Sequence, residues 1–418
     1  MKFRMKINKI DLYNFATILL GSFPILGLKK SVLAIIIWAV FSLIIIVSEK
    51  SYKAIQKKDR INLFVLTSYY LAFIICFFFI EDKKLAMRFL EKNIAFLIFP
   101  VFMIVNKRFF YENTLRRTIT VFIISNILLA SYIWIVILSK GYLTVMKSDT
   151  YYNPIIRNFF SDISEIHLPY LGMLFVFSSL ALLDDIFNSA KKIAYRNVLR
   201  CLGIALLIFS VISFAARLAL ILFILLSLFL LFKKASTVRI KIGFIVSILA
   251  ILFLVFTIPS SKKRIDEIWN AKLELPNSTQ KSEEVNFRYG IYNCVSIILK
   301  ENWIIGVGPG NVQKKLDNCY SGYSYKNYDD YSKIEYNSHN QYLDIWLKYG
   351  IFGLILFFVF LLWGIKKINI LYGIFLCIIM TAMLTENIFD RQVGVVFFTL
   401  FNTLFFINRK DHFEKSIN

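Results

Sequence analysis

Residues 202–232 read LGIALLIFSVISFAARLALILFILLSLFLLF, a run of 31 residues with one charge, Arg217, near its middle. As a single helix it would be about 46 Å long at 1.5 Å per residue, well beyond a hydrocarbon core of about 30 Å. The run is therefore read as two helices that meet at a membrane surface, with Arg217 at the join. An arginine at the bilayer centre costs about 2.5–3.5 kcal/mol. At the boundary it reaches water, a lipid phosphate or another anion.

The rest of the chain repeats this texture. Hydrophobic residues make up 58% of 418, and the mean hydropathy is +0.63, a composition outside the range of soluble domains. Twelve apolar segments are candidate spans, from about 12–28 to 392–408, with short ones at 91–106 and 218–232. No strand alternation is sustained, which argues against a barrel. The expected fold is an all-α polytopic membrane protein of about twelve transmembrane helices. One long polar segment, 259–349, separates the ninth helix from the tenth. The chain then divides into 1–258 (helices one to nine), 259–349 (the loop), 350–408 (helices ten to twelve) and 409–418 (a tail).

The net charge of +22 raises nucleic acid as a partner, but its distribution points elsewhere. With the N-terminus inside and twelve crossings, most of the excess falls on the inner side. It lies in clusters such as Lys50 to Arg60, Lys107 to Arg117 and Lys191 to Arg200, as the positive-inside rule expects. No nucleic-acid partner is expected. Both termini are placed in the cytoplasm and the long loop outside. Cys76, Cys201 and Cys377 fall in apolar segments as fillers. Cys294 and Cys319 share the outer loop, where a disulfide is open to them. No Cys/His spacing marks a metal site.

The loop carries the chemistry-bearing residues. Phe287, Ile291, Val295 and Ile298 recur at helical spacing, predicting an amphipathic helix over 283–301 with Arg288 beside the apolar stripe. Its guanidinium suits phosphate, whose oxygens match the forked donors; a surface charge paired with Glu283 or Glu284 is the plain reading. Gly306-Val307-Gly308-Pro309-Gly310-Asn311 then breaks the helix. Tyr320 to Tyr336 reads as irregular, and Ser338 as the N-cap of a helix through His339, Tyr342 and Trp346. His339 is one of three histidines. A neutral imidazole there accepts a hydroxyl proton near neutral pH, against a plain structural role. His167 sits where an outer loop enters a helix. Glu386 lies at the outer end of the eleventh span, where Arg391 could neutralise it.

These strings resemble the O-antigen ligase and polymerase superfamily of bacterial membrane glycosyltransferases. The resemblance rests on Ser213-Phe214-Ala215-Ala216-Arg217, on Arg288, on the glycine turn 306–311, and on Ser338-His339-Asn340-Gln341-Tyr342-Leu343 followed by Tyr349-Gly350-Ile351-Phe352-Gly353-Leu354. His167-Leu168-Pro169-Tyr170-Leu171-Gly172 is similar to a further family pattern. It covers about 160–408, and it departs at Ala216, where the family has serine.

The resemblance implies an inner-membrane enzyme with its active site facing the periplasm. The donor would be a glycan on undecaprenyl diphosphate. The acceptor would be lipid A-core or a growing glycan, amid membrane lipids. Arg217 and Arg288 would bind the diphosphate and His339 would be the general base. Asn340, Tyr342, Gly308, His167 and Glu386 would support them. Neither metal nor cofactor is required in that scheme. Ligase is the first reading, with repeat-unit polymerase, protein O-glycosylating ligase and polysaccharide transporter as alternatives. The transporter would predict related halves and mid-membrane charges. The loop tyrosines Tyr320, Tyr323, Tyr325, Tyr328 and Tyr331 are candidates either for stacking on sugar or for plain packing.

Overall fold

The structure, a computed structural model, describes residues 8–140, 154–188, 194–234, 242–243, 245–246, 248–249, 253, 274–277, 285–323, 325–365 and 369–408. Among the described residues there are helices and turns and no strand. The chain is an all-α polytopic membrane protein. Seven described helical stretches are long and apolar enough to cross a membrane, and Ile370–Ala382 and Gln392–Ile407 are shorter apolar helices. The ninth expected span, about 241–258, lies mostly outside the described residues, as do the tail 409–418 and the acidic pair Glu283-Glu284.

The helices are α1 (Lys9–Leu19), α2 (Phe23–Ser48), α3 (Lys57–Phe77), α4 (Lys83–Asn93), α5 (Ala95–Val105), α6 (Thr114–Ser139), α7 (Pro154–Ser164) and α8 (Leu168–Asn188). They continue with α9 (Ala194–Ser213), α10 (Arg217–Lys234), α11 (Phe287–Asn302), α12 (Val312–Tyr320), α13 (Tyr325–Ile334), α14 (Gln341–Leu362), α15 (Ile370–Ala382) and α16 (Gln392–Ile407). The run that opened the reading is indeed two helices. α9 ends at Ser213 and α10 begins at Arg217, with Ala215 at φ +54° in the turn between them.

Burial sorts the helices into centre and periphery. α8 and α16 are apolar on all sides and buried almost throughout, as expected of helices surrounded by other helices. Their rings interlock: Phe397 lies 5.5 Å from Phe122 of α6, and Phe177 lies 5.5 Å from Phe375 of α15. α2 and α6 instead expose rows of large apolar residues, among them Leu33, Ile36 and Val40, and Ile124, Leu128 and Ile135. In a bilayer such rows face lipid. Polar side chains join helices inside the bundle. Asn126 donates to Ser178 at 3.0 Å, Trp134 to Ser210 at 2.9 Å and Trp38 to Thr17 at 2.8 Å. Hydrogen bonds of this kind hold helices together where lipid offers no polar partner.

The long polar segment has a core of its own. Ile291, Val295 and Ile298 of α11 pack with Leu316 and Tyr320 of α12, Tyr331 of α13 and Leu347 of α14. The stripe read from the sequence is thus the buried face of α11, which begins at Phe287 because Asn286 caps it, accepting from Tyr289 N at 3.2 Å. Cys294 and Cys319 form a disulfide between α11 and α12. The stretch expected to be irregular contains α13, and its tyrosines pack: Tyr320 and Tyr331 are fully buried with ring centroids 4.6 Å apart. Burial pushes the Tyr320 and Tyr331 hydroxyls well above the usual phenol range. Packing, not sugar stacking, is the role of these two.

Two glycines join this unit to the bundle. α14 is kinked at Gly350, where φ is +66°, and Gly306 has φ +78°; both need the left-handed region that glycine enters freely. Val307 N donates to Leu347 O at 2.7 Å and Ile351 N to Trp303 O at 2.9 Å. The backbones touch so closely that a Cβ at Gly350 would fall 1.9 Å from Ile304 O, and one at Gly306 would fall 2.6 Å from Leu347 O. The glycine turn therefore docks the loop on the kink of α14. Gly308, also left-handed at φ +82°, lies in the same turn.

Candidate active site

Between α13 and α14 the chain crosses the turn that follows α15, and the hydrogen bonds at that crossing place His339. The expected cap was Ser338. The helix starts instead at Gln341 and is capped by Asn340, whose Oδ1 accepts from Tyr342 N at 3.0 Å and Leu343 N at 3.1 Å. Ser338 is buried and turns away, its Oγ at 3.0 Å from Asn340 O and 3.2 Å from Asn387 Oδ1. His339 is left off the helix with φ +43°. Histidine enters the left-handed region more readily than most residues, yet the conformation costs about 1–3 kcal/mol and persists only where the surroundings impose it.

Those surroundings are a ladder of hydrogen bonds to residues 380–390. Tyr342 Oη donates to Met380 O at 2.8 Å, Gln341 N to Met383 O at 2.8 Å, and Asn340 Nδ2 to Leu384 O at 3.1 Å. Phe389 N donates to Gln341 Oε1 at 2.7 Å. Asn337 accepts from His339 N at 3.0 Å and donates to Asp390 at 3.1 Å. Asp390 also accepts from Asn387 at 3.1 Å and pairs with Lys348 at 3.7 Å; Lys348 pairs in turn with Asp344 one helical turn earlier. Burial alone would raise the Asp390 carboxyl, but Lys348, Lys92 and the two asparagine donors outweigh it and hold it below the usual carboxylate range. Asp344 and Lys348 are an i,i+4 pair, the one part of this network whose spacing is visible in the sequence.

This framework brings three of the expected residues together. Glu386 Oε2 lies 3.6 Å from His339 Nδ1, and its Oε1 lies 3.7 Å from Arg288 Nη2. Arg288 Nη2 also donates to Thr385 O at 3.2 Å. Glu386 is thus engaged by Arg288 and His339, in place of the neutralisation by Arg391 that the sequence left open. The separation from His339 Nδ1 is just beyond hydrogen-bond range, and the buried Nδ1 has no hydrogen-bond partner. Catalytic contacts are often long before substrate tightens them. A proton on Nδ1 would face Glu386 and leave Nε2 as the lone pair.

His167 precedes α8, as expected, with its Nδ1 buried and without a hydrogen bond. Burial first, then the Arg391 charge, lowers its pKa, with Glu386 acting against them and His339 and Arg157 adding to them. Three residues on, Tyr170 Oη donates to Asn387 O at 2.8 Å, so the start of α8 supports the Glu386 turn from beneath. The same helix meets the Arg217 junction. A Cβ at Gly172 would lie 3.1 Å from Ala216 Cβ and 3.0 Å from Ala219 Cβ, and Arg157 of α7 donates to Phe214 O at 2.9 Å. Arg217, half-buried, opens α10 there.

No curated protein matches the chain. Residues 202–358 match a family model described as O-antigen ligase, a stretch that runs from the Arg217 junction through Arg288 and His339 to the apolar half of α14. By that match residues 202–358, 157 of the 418 in the chain, are similar to the O-antigen ligase family.

Proposed function

We propose that the protein transfers a glycan from undecaprenyl diphosphate to an acceptor sugar hydroxyl, as a ligase acting on lipid A-core at the outer face of the inner membrane. Both termini then lie in the cytoplasm and the loop unit in the periplasm. The observation that carries the reading is the convergence of Arg288 and His339 on Glu386 at one end of the bundle. A diphosphate leaving group needs little protonation. It needs its growing charge neutralised, and fixed guanidinium groups supply that without reorganisation. Arg288 takes this role, with Arg217 as the second cation contributed by the membrane domain. His339 Nε2 takes the proton of the acceptor hydroxyl. The oxygen attacks the anomeric carbon as the bond to the diphosphate breaks, so the configuration inverts. Positioning both substrates supplies the rest of the rate. No divalent metal is assigned a role.

The test is transfer by the purified chain from an undecaprenyl-diphosphate-linked glycan, with and without a chelator. His339→Ala abolishes transfer and keeps donor binding. Arg288→Ala weakens donor binding, and Arg288→Lys restores it only in part because a point charge replaces a fork. Undiminished transfer in His339→Ala, or equal donor affinity in all three Arg288 forms, refutes these roles. A loss under chelator that added metal reverses refutes the metal-free scheme. A polymerase would use the same donor and the same base. A deletion strain separates the two: a ligase leaves lipid A-core without any chain, and a polymerase leaves a single repeat unit on it.

A further inference from the structure

A groove of about 390 Å³ lies between α11 and the first turns of α14. Tyr292, Ser296, Lys300 and Trp303 line it from one stripe of α11, and Leu343 and Trp346 line it from α14. Trp346 Nε1 donates to Trp303 O at 2.9 Å, which fixes one indole against the other helix. Trp303, at the C-terminal end of α11, is half exposed, at 51%. The size is that of a small-molecule site. Its lining is three aromatic rings, three aliphatic side chains (Val295, Leu299 and Leu343), one hydroxyl and one ammonium.

The groove and the candidate active site share two elements. Tyr292 is one helical turn from Arg288 on α11, and Leu343 in the first turn of α14 follows His339 by four residues. Tyr292 feels both Arg288 and Glu386, although burial is the largest cause of its raised hydroxyl pKa. A ligand lying in the groove would have one end at Tyr292 and Leu343, the lining residues nearest in the chain to Arg288 and His339. Its chemistry follows from the lining. The apolar faces of pyranose rings stack on indole and phenol rings while their hydroxyls stay wet, and Ser296 and Lys300 offer polar partners at the same level. A polyprenyl chain would have to lie against Lys300 in an open groove, with water on one side.

We infer that this groove is the subsite for the acceptor saccharide, with Trp303 and Trp346 stacking on successive sugars and Lys300 matching a phosphate or carboxylate on one of them. The inference rests on the proposed transfer reaction and deepens it, since it separates an aromatic acceptor side from an arginine donor side.

The experiment uses the full-length chain in detergent and two probes. One is the oligosaccharide released by mild acid from the host's own surface glycolipid; the other is undecaprenyl phosphate. Trp303→Ala is expected to weaken oligosaccharide binding and raise the acceptor KM about threefold to tenfold, the yield of one aromatic stacking contact. Trp303→Phe keeps most of the affinity, and undecaprenyl phosphate binding and donor KM stay at the wild-type values in both. Lys300→Ala weakens a phosphorylated or acidic oligosaccharide more than a neutral one. Unchanged oligosaccharide affinity and acceptor KM in Trp303→Ala overturn the inference, as does weakened undecaprenyl phosphate binding in its place. If the wild-type chain binds the oligosaccharide through Trp303 but transfers nothing from a lipid-linked donor, the transferase reading fails and the groove stands. If it transfers normally and Trp303→Ala has no effect on the acceptor, the groove alone fails.

Discussion

Glu386 is the residue on which the proposed site turns, because it faces both the arginine proposed for the diphosphate and the imidazole proposed as the base. Its carboxylate lies 3.7 Å from Arg288 and 3.6 Å from His339, so it both occupies the arginine and orients the imidazole. Glu386→Gln separates these roles. The freed Arg288 and the lost negative charge tighten donor binding by about two- to fivefold, in keeping with a partly exposed ion pair. The imidazole loses its partner, and kcat falls by about 100-fold, within the range of acid–base assistance. Steady-state kinetics with donor titration check both; a fall in donor affinity would show that Glu386 positions Arg288 rather than competing for it. His167 carries a second residue-scale expectation. Its folded pKa lies below the unfolded value of about 6.5 because burial and Arg391 disfavour the charged form. The unfolded chain then binds the extra proton first. The stability His167 contributes is complete above about pH 6.5 and is lost as pH falls through that value towards the folded pKa. Thermal melts from pH 7 to 5 should fall more steeply for the wild-type chain than for His167→Gln, and equal slopes would remove the effect.

At the scale of elements, the glycine turn and the kinked helix form one joint. Gly350→Ala places a methyl 1.9 Å from a backbone carbonyl oxygen and forces alanine to φ +66°. The left-handed strain alone costs about 1–3 kcal/mol, and the collision separates α14 from the end of α11. The expected outcome is a lower melting temperature and faster proteolysis within 285–349, with α8 and α16 retained. Ala at Gly322, where φ is not left-handed and the nearest contact is 3.2 Å, requires a shift of only a few tenths of an ångström and is the milder comparison. Local signals of this kind were partly legible. The stripe Phe287, Ile291, Val295 and Ile298 announced α11 and its buried face, and the charge inside 202–232 announced the break between α9 and α10. Ser338 misled because its hydroxyl had a better partner in Asn387, a residue 49 positions away that no local rule can see. The tyrosine-rich stretch misled because its rings alternate with polar residues, while their burial comes from α11 and α12. The glycine turn was read from its composition, but its docking partner, Gly350, is a tertiary fact.

At the scale of the molecule, the sequence pattern carried the membrane class and the order of site residues along the chain. It did not carry their convergence, which comes from α14 and α15 crossing so that Glu386 reaches Arg288 and His339. It also left the pairing of Cys294 with Cys319 open, and that pairing bears on which side of the membrane the loop unit occupies. A disulfide persists in an oxidising compartment and not in the cytosol. The proposed outer placement of the loop rests independently on the charge pattern. The two arguments meet in one measurement. Of the five cysteines, Cys76, Cys201 and Cys377 are free. Membranes quenched with acid, denatured and treated with a polyethylene-glycol maleimide should add three conjugates to each chain before reduction and five after it. Cys294→Ser and Cys319→Ser should each leave the other thiol reactive, and each should cost about 2–5 kcal/mol, the usual cost of losing a native disulfide, read as a lower melting temperature of the loop unit. Five conjugates without reduction would mean a reduced loop, and the placement of Arg288 and His339 at the outer face would lose its chemical support.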